Sequence, residues 1–76
     1  MDLNDFDVVE IITAFSIEDD GNLVPFSAGV QGTIVLSSEG MHLIEFMDEK
    51  EDTHYACLPP ASLKKIWDSL TRTDID

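Results

Sequence analysis

Short runs of β-branched and aromatic residues, each cut off by a turn signal, restrict this chain to an antiparallel β fold. The first run is Asp7-Val8-Val9-Glu10-Ile11-Ile12-Thr13. With Glu10 facing water, Val9 and Ile11 face the core, while Val8 and Ile12 flank Glu10 outside or line an edge. The second run extends from Gly29 to Leu36, with Val30, Ile34 and Leu36 on one face and Gly32 between them. Glycine inside a strand marks a bulge or a tight bend. Ser37-Ser38-Glu39-Gly40 reads as a turn in which Gly40 can take a positive φ. Met41 to Met47 is a third strand, Ile44 and Phe46 inward and Glu45 outward. A polar connection at 48–52 leads to a fourth strand, Thr53 to Leu58, which Pro59-Pro60 stops because proline cannot donate to a ladder.

Two segments fit this scheme less directly. Residues 14–28 read as a long loop, with Glu18-Asp19-Asp20-Gly21-Asn22 as a turn cluster and Pro25 as a breaker. A connection of that length in a small domain is either mobile or functional. In 63–70, Leu63, Ile66, Trp67 and Leu70 have helical spacing, and Pro60 suits a first helical turn. The same residues also suit a short closing strand after a single 3₁₀ turn. Thr71 to Asp76 reads as a frayed tail. Seventy-six residues hold one domain, with a core over about 6–67.

Four or five short strands with a long first connection and prolines before the last element describe a small antiparallel barrel. Phe26-Ser27-Ala28-Gly29-Val30-Gln31-Gly32-Thr33-Ile34-Val35 resembles the hydrophobic-x-Gly-x-hydrophobic hairpin of KOW-type and other SH3-like barrels. With Asp7-Val8-Val9-Glu10, Ile44-Glu45-Phe46 and Leu58-Pro59-Pro60-Ala61-Ser62-Leu63, the chain is similar to small bacterial SH3-like proteins of unassigned function. The resemblance implies an all-β, SH3-like barrel of about five strands, a 3₁₀ turn at Pro60-Ala61-Ser62 and a closing strand from Leu63. It does not carry over the ligands of better-known relatives. Tyr55 and Trp67 are the only candidates for a polyproline-gripping aromatic cluster, and the exposed basic loops of nucleic-acid-binding KOW domains are missing.

Charge supplies the functional constraint. The first 49 residues carry eleven carboxylates and no lysine or arginine, whereas the remaining 27 hold five acids and all four bases, so that −11 and −1 sum to the net −12. Nucleic-acid phosphates and anionic lipid would be repelled, and a basic protein attracted. A lone cysteine, Cys57, cannot form an internal disulfide, and the acidic start Met1-Asp2-Leu3-Asn4-Asp5 does not read as a secretory signal. With apolar stretches far too short to cross a bilayer, these features point to the cytoplasm.

Catalytic chemistry finds little support. Glu18-Asp19-Asp20-Gly21-Asn22 lacks the acids that an EF-hand would need at Ser16 and Ser27. His54 and Cys57, three apart on a strand, point to opposite faces, which argues against a nucleophile and base; Cys57 reads as a small buried side chain. His42 has no sign of a second ligand. Nearly all the acids sit in turns or beside polar residues, where hydration keeps them ionised, so a pair with one raised pKa is not expected. Glu10 and Glu45 read as solvent-facing positions on adjacent strands. No cofactor, metal or small-molecule substrate is expected.

The expected function is therefore a non-catalytic binding module, an inhibitor or immunity-type protein that masks a basic surface of a bacterial toxin or nuclease. Its contact would combine the loop acids Glu18, Asp19 and Asp20 with the hairpin acids Asp48, Glu49, Glu51 and Asp52, and those of Phe15, Phe26 and Trp67 that are exposed would serve as apolar anchors. The alternatives are an accessory subunit of an enzyme complex and a DNA mimic. For the latter, a duplex as long as a domain of this size carries about sixteen charges, matching the acid count without singling mimicry out.

Overall fold

A computed structural model describes residues 3–48 and 50–75, with only the backbone of Asp19. It contains eight strands and one 3₁₀ turn: β1 (Val8–Ile11), β2 (Phe15–Asp19), β3 (Asn22–Phe26), β4 (Gln31–Ser38), β5 (Met41–Met47), β6 (Thr53–Leu58), the turn over Pro60–Ser62, β7 (Leu63–Asp68) and β8 (Thr73–Asp74). Six strands form one antiparallel sheet in the order β6-β5-β4-β1-β7-β8, and β2 and β3 pair with each other as a separate hairpin. The all-β antiparallel fold and the 3₁₀ turn agree with the sequence, but a closed barrel of five strands does not. The Cα atoms span 39 × 26 × 18 Å.

The second sheet replaces the long loop read at 14–28. Asp20 and Gly21 both take positive φ, 50° and 80°, which is the backbone of a two-residue hairpin turn. Phe15 pairs with Phe26 and Ile17 with Val24, and these four side chains turn toward the main sheet. Phe15 and Phe26 stack at 5.1 Å, and both rings contact Phe46 of β5 at 5.3 and 5.4 Å. They therefore pack with the core, and do not meet the condition of exposure set for them as surface anchors.

Val9, Ile11, Ile34, Ile44, Phe46 and Leu63 complete the buried core with Phe26. Gly32 lies opposite Phe46 in the β4–β5 ladder. A Cβ there would stand 2.6 Å from Ile44 Cγ2 and 2.8 Å from the Phe46 ring, so the glycine leaves room for the aromatic to lie across β4. The bulge sits further along, between Ile34 and Leu36. It reverses the alternation, turning Leu36 to the outer face beside Leu43, where it is 55% exposed, instead of inward with Val30 and Ile34.

The segment from Leu63 is a strand, paired with β1, and not a helix. Thr73 and Asp74, expected in a frayed tail, pair with Asp68 and Trp67, and Ile75 N donates to Ile66 O at 2.9 Å. Glu10 and Glu45 share the outer face but not adjacent strands, because β4 runs between β1 and β5. Among the described residues no helix is long and apolar enough to cross a membrane.

Candidate functional site

Two places concentrate carboxylate chemistry, at opposite flanks of the sheet. On the β7 flank, Asp7 lies on the core side of β1 and is fully buried. Its Oδ1 accepts from Ser69 N at 2.7 Å and Ser69 Oγ at 2.8 Å. Its Oδ2 accepts from Asn4 N at 2.8 Å and lies 3.1 Å from Lys65 Nζ. Lys65 is nearly buried and also approaches Asp68 at 3.7 Å. Burial pushes the Asp7 carboxyl upward, yet the bonds from Ser69, Asn4 and Lys65 outweigh it and hold the group below its ordinary value. An inward acid beside the first core residues corrects the expectation that the acids are hydrated turn residues. Every oxygen of Asp7 is engaged, so the cluster ties the N-terminal arch to β7 and has no capacity left for a substrate.

On the other flank, the β2–β3 hairpin leans over the β5–β6 turn and leaves an open groove of about 650 Å³. Asp20, Asp48 and Asp52 stand along it with Lys50, while Leu23, Val24, Pro25, Phe26, Val30 and Met47 supply apolar wall. Leu23 and Met47, both part of this wall, are 72% and 57% exposed. The site thus offers anionic groups around an accessible apolar surface.

Asp48 organises the turn. Its Oδ1 accepts from Lys50 N at 2.8 Å and from Asp52 N at 2.9 Å, and its Oδ2 lies 2.8 Å from Nε2 of the buried His54. The bond from His54 is the largest influence on the Asp48 carboxyl and, with those of the two backbone amides, lowers its pKa despite some desolvation. The His54 ring in turn meets the edge of Phe26 at 5.7 Å, which links the turn to the hairpin and fixes the groove's inner end. On the outer face, the Tyr55 hydroxyl donates to Glu45 Oε2 at 3.1 Å, a bond that raises the phenol pKa.

The structure gathers only part of the site expected from sequence. Asp20, Asp48 and Asp52 meet in the groove, and Phe26 closes it from the core side. Glu18 and Glu51 are exposed nearby but do not line it. Glu49 and the Asp19 side chain lie outside the described residues. Phe15 is in the aromatic cluster, and Trp67 lies on the outer face opposite Val8, four strand spacings from β6 or about 19 Å. The front-loaded charge of the sequence does not form one surface either. Asp7 is buried, Glu10 and Glu45 face outward on the sheet, and Glu39 stands at the β4–β5 turn, the far end of β5 from the groove.

Leu23, Met47 and His54 were not anticipated as groove residues. The Asp20-Gly21 dipeptide between apolar runs is the signal that would have placed Leu23 on a hairpin. Cys57, expected to be buried, is exposed on the outer face opposite Leu43. His42 is buried and its Nδ1 lies 2.6 Å from Ser37 Oγ, with no orienting carboxylate in that contact. No group of three or more His, Cys, Asp or Glu among the described residues is arranged to hold a metal ion. In comparison with known proteins, the chain matches no family model, no curated protein sequence and no solved structure.

Proposed function

We propose that this chain is a non-catalytic, acidic protein-binding module of the cytoplasm, an inhibitor or immunity-type protein that masks a basic surface of a bacterial toxin or nuclease. The observation that carries this reading is the groove, where carboxylates from two distant segments, Asp20 and the Asp48–Asp52 turn, stand around exposed Leu23 and Met47. Acids of this kind steer a cationic partner and set its orientation, while the apolar wall supplies area that water leaves on contact. Kinship with SH3-like proteins is part of the proposal. It is supported by the order of elements: a first strand, a connection that carries the β2–β3 hairpin, a three-strand meander, a 3₁₀ turn and a strand that returns to β1.

Capture from native lysate at low and high salt tests the reading, with wild type, Asp20→Asn/Asp52→Asn and a Glu39→Gln control. We expect a basic protein to be retained at low salt by wild type and the control, weakly by the double variant, and to be released as the screening length drops from about 10 Å to about 3 Å in molar salt. Retention that resists salt and ignores both groove substitutions would overturn the proposal in favour of an accessory subunit held by apolar pairing.

A further inference from the structure

The six-stranded sheet ends at β6, and no strand among the described residues pairs with its outer side. β6 keeps unbroken register with β5, from Met47 opposite Thr53 to His42 opposite Leu58. The adjoining turn fixes which of its peptide groups are free. Asp48 N donates to Asp52 O at 3.0 Å, a single backbone bond that sets the phase of the ladder leading into the turn. Alternation along an antiparallel ladder then makes Phe46 and His54, Ile44 and Ala56, and His42 and Leu58 the next bonded pairs. The N–H and C=O groups of Thr53, Tyr55 and Cys57 consequently point away from β5, and all three residues are exposed.

Natural sheets blunt such edges with lysine, proline, bulges or a covering segment. β6 contains no lysine and no proline, and its ladder has no register shift. The other flank does have a cover, since β8 lies along the C-terminal half of β7. A second copy of this chain is a poor occupant for the open edge. Each copy carries a formal −12, and Glu45, Asp48, Glu51 and Asp52 all lie on β5 or in the turn beside this strand. The same charges favour a cationic strand. The edge also ends at Asp52 and His54, two residues of the groove itself, so a segment paired along β6 continues past the groove.

We infer that β6 receives an extended, lysine- or arginine-bearing segment of the partner as an added antiparallel or parallel strand, with backbone bonds to Thr53, Tyr55 and Cys57. The inference rests on the reading of this chain as a binder of cationic protein, and it adds the form in which the partner is held. Main-chain pairing supplies attachment that does not depend on partner sequence, and the neighbouring carboxylates select for positive charge.

The test uses two synthetic peptides on the intact chain at low salt: acetyl-Lys-Val-Lys-Val-Lys-Val-Lys-amide, and the same peptide methylated on every backbone nitrogen. The second has equal charge but no N–H on the peptide bonds between its residues. With saturating parent peptide, we expect hydrogen exchange at the Thr53, Tyr55 and Cys57 amides to slow on the order of tenfold, and to remain unchanged with the methylated one. Cys57→Pro removes an outward amide without breaking a β5 bond, at a position where an edge tolerates proline, and should weaken the parent peptide on the order of tenfold. If that variant does not fold, the comparison of the two peptides on wild type still decides. Equal binding of both peptides with no protection at the three amides would overturn the edge and leave the cation-binding reading intact. Failure of both peptides to bind at low salt would remove both.

Discussion

The β7 flank of the sheet buries a carboxylate, whereas the β6 flank exposes several, and the difference separates acids that hold the fold from acids the fold does not need. Asp7 has no exposed surface and is bonded by Ser69, Asn4 and Lys65, partners up to 62 positions away in sequence. The C-terminal half of the adjacent β7 edge is covered by β8. At the other flank Asp48 spends its oxygens on its own turn and on His54, while Asp20 and Asp52 stand exposed at the groove beside an uncovered strand. Sixteen acids in the sequence are thus not sixteen equivalent charges. What matters is which of them the folded chain can lend to a partner.

The sharpest way to break this contrast is to delete Asp7. Asp7→Ala leaves the buried Lys65 with only the more distant Asp68, 3.7 Å away, and breaking a buried pair from one side costs about 3–5 kcal/mol. A domain of this length has a total stability of roughly 4–11 kcal/mol, so urea unfolding should show a chain near or past its limit. A loss below about 1 kcal/mol would mean that the cluster is not the lock described here.

Acid titration probes the lesser role of Asp48. Its folded pKa lies below that of an unfolded aspartate, about 3.9, so its contribution is complete above that pH and disappears as pH falls through the folded value. The stability gap between wild type and Asp48→Asn should therefore close as pH falls below about 4. Taking the gap, and not the absolute stability, removes the general relief of repulsion that protonation brings to so acidic a chain. A gap that widened on acidification would contradict the assignment. Asp7 follows the same sign, since its folded pKa is lowered as well.

Much of the main sheet was legible because its signals were local. Alternation in Val8–Ile11 and Met41–Met47, the Glu39-Gly40 turn with φ of 52° and 80°, and the stop at Pro59-Pro60 each depend on neighbours in sequence. The hairpin of β2 and β3 was obscured because Pro25 and a run of acids read as loop chemistry, although Asp20-Gly21 specifies a tight turn. Leu36 was misplaced because one bulge reverses every later position on a strand. Asp7 was not set apart from the other acids because its partners, Lys65 and Ser69, are remote, and no local pattern announces a buried pair. The acids of the groove were readable, but of its apolar wall only Phe26 was. Whether Leu23 and Met47 face each other across a gap depends on how two sheets pack, which one-dimensional spacing does not encode.

The central claim is that the groove carboxylates are surplus to folding. Urea unfolding of Asp20→Asn/Asp52→Asn beside wild type tests it most directly. Asp20 has a φ of 50°, a conformation asparagine tolerates well, and removing two negative charges relieves repulsion. We expect the double variant to match wild type within about 0.5 kcal/mol or to exceed it. A loss of more than about 1 kcal/mol would contradict the claim and place these acids among the residues that hold the chain together.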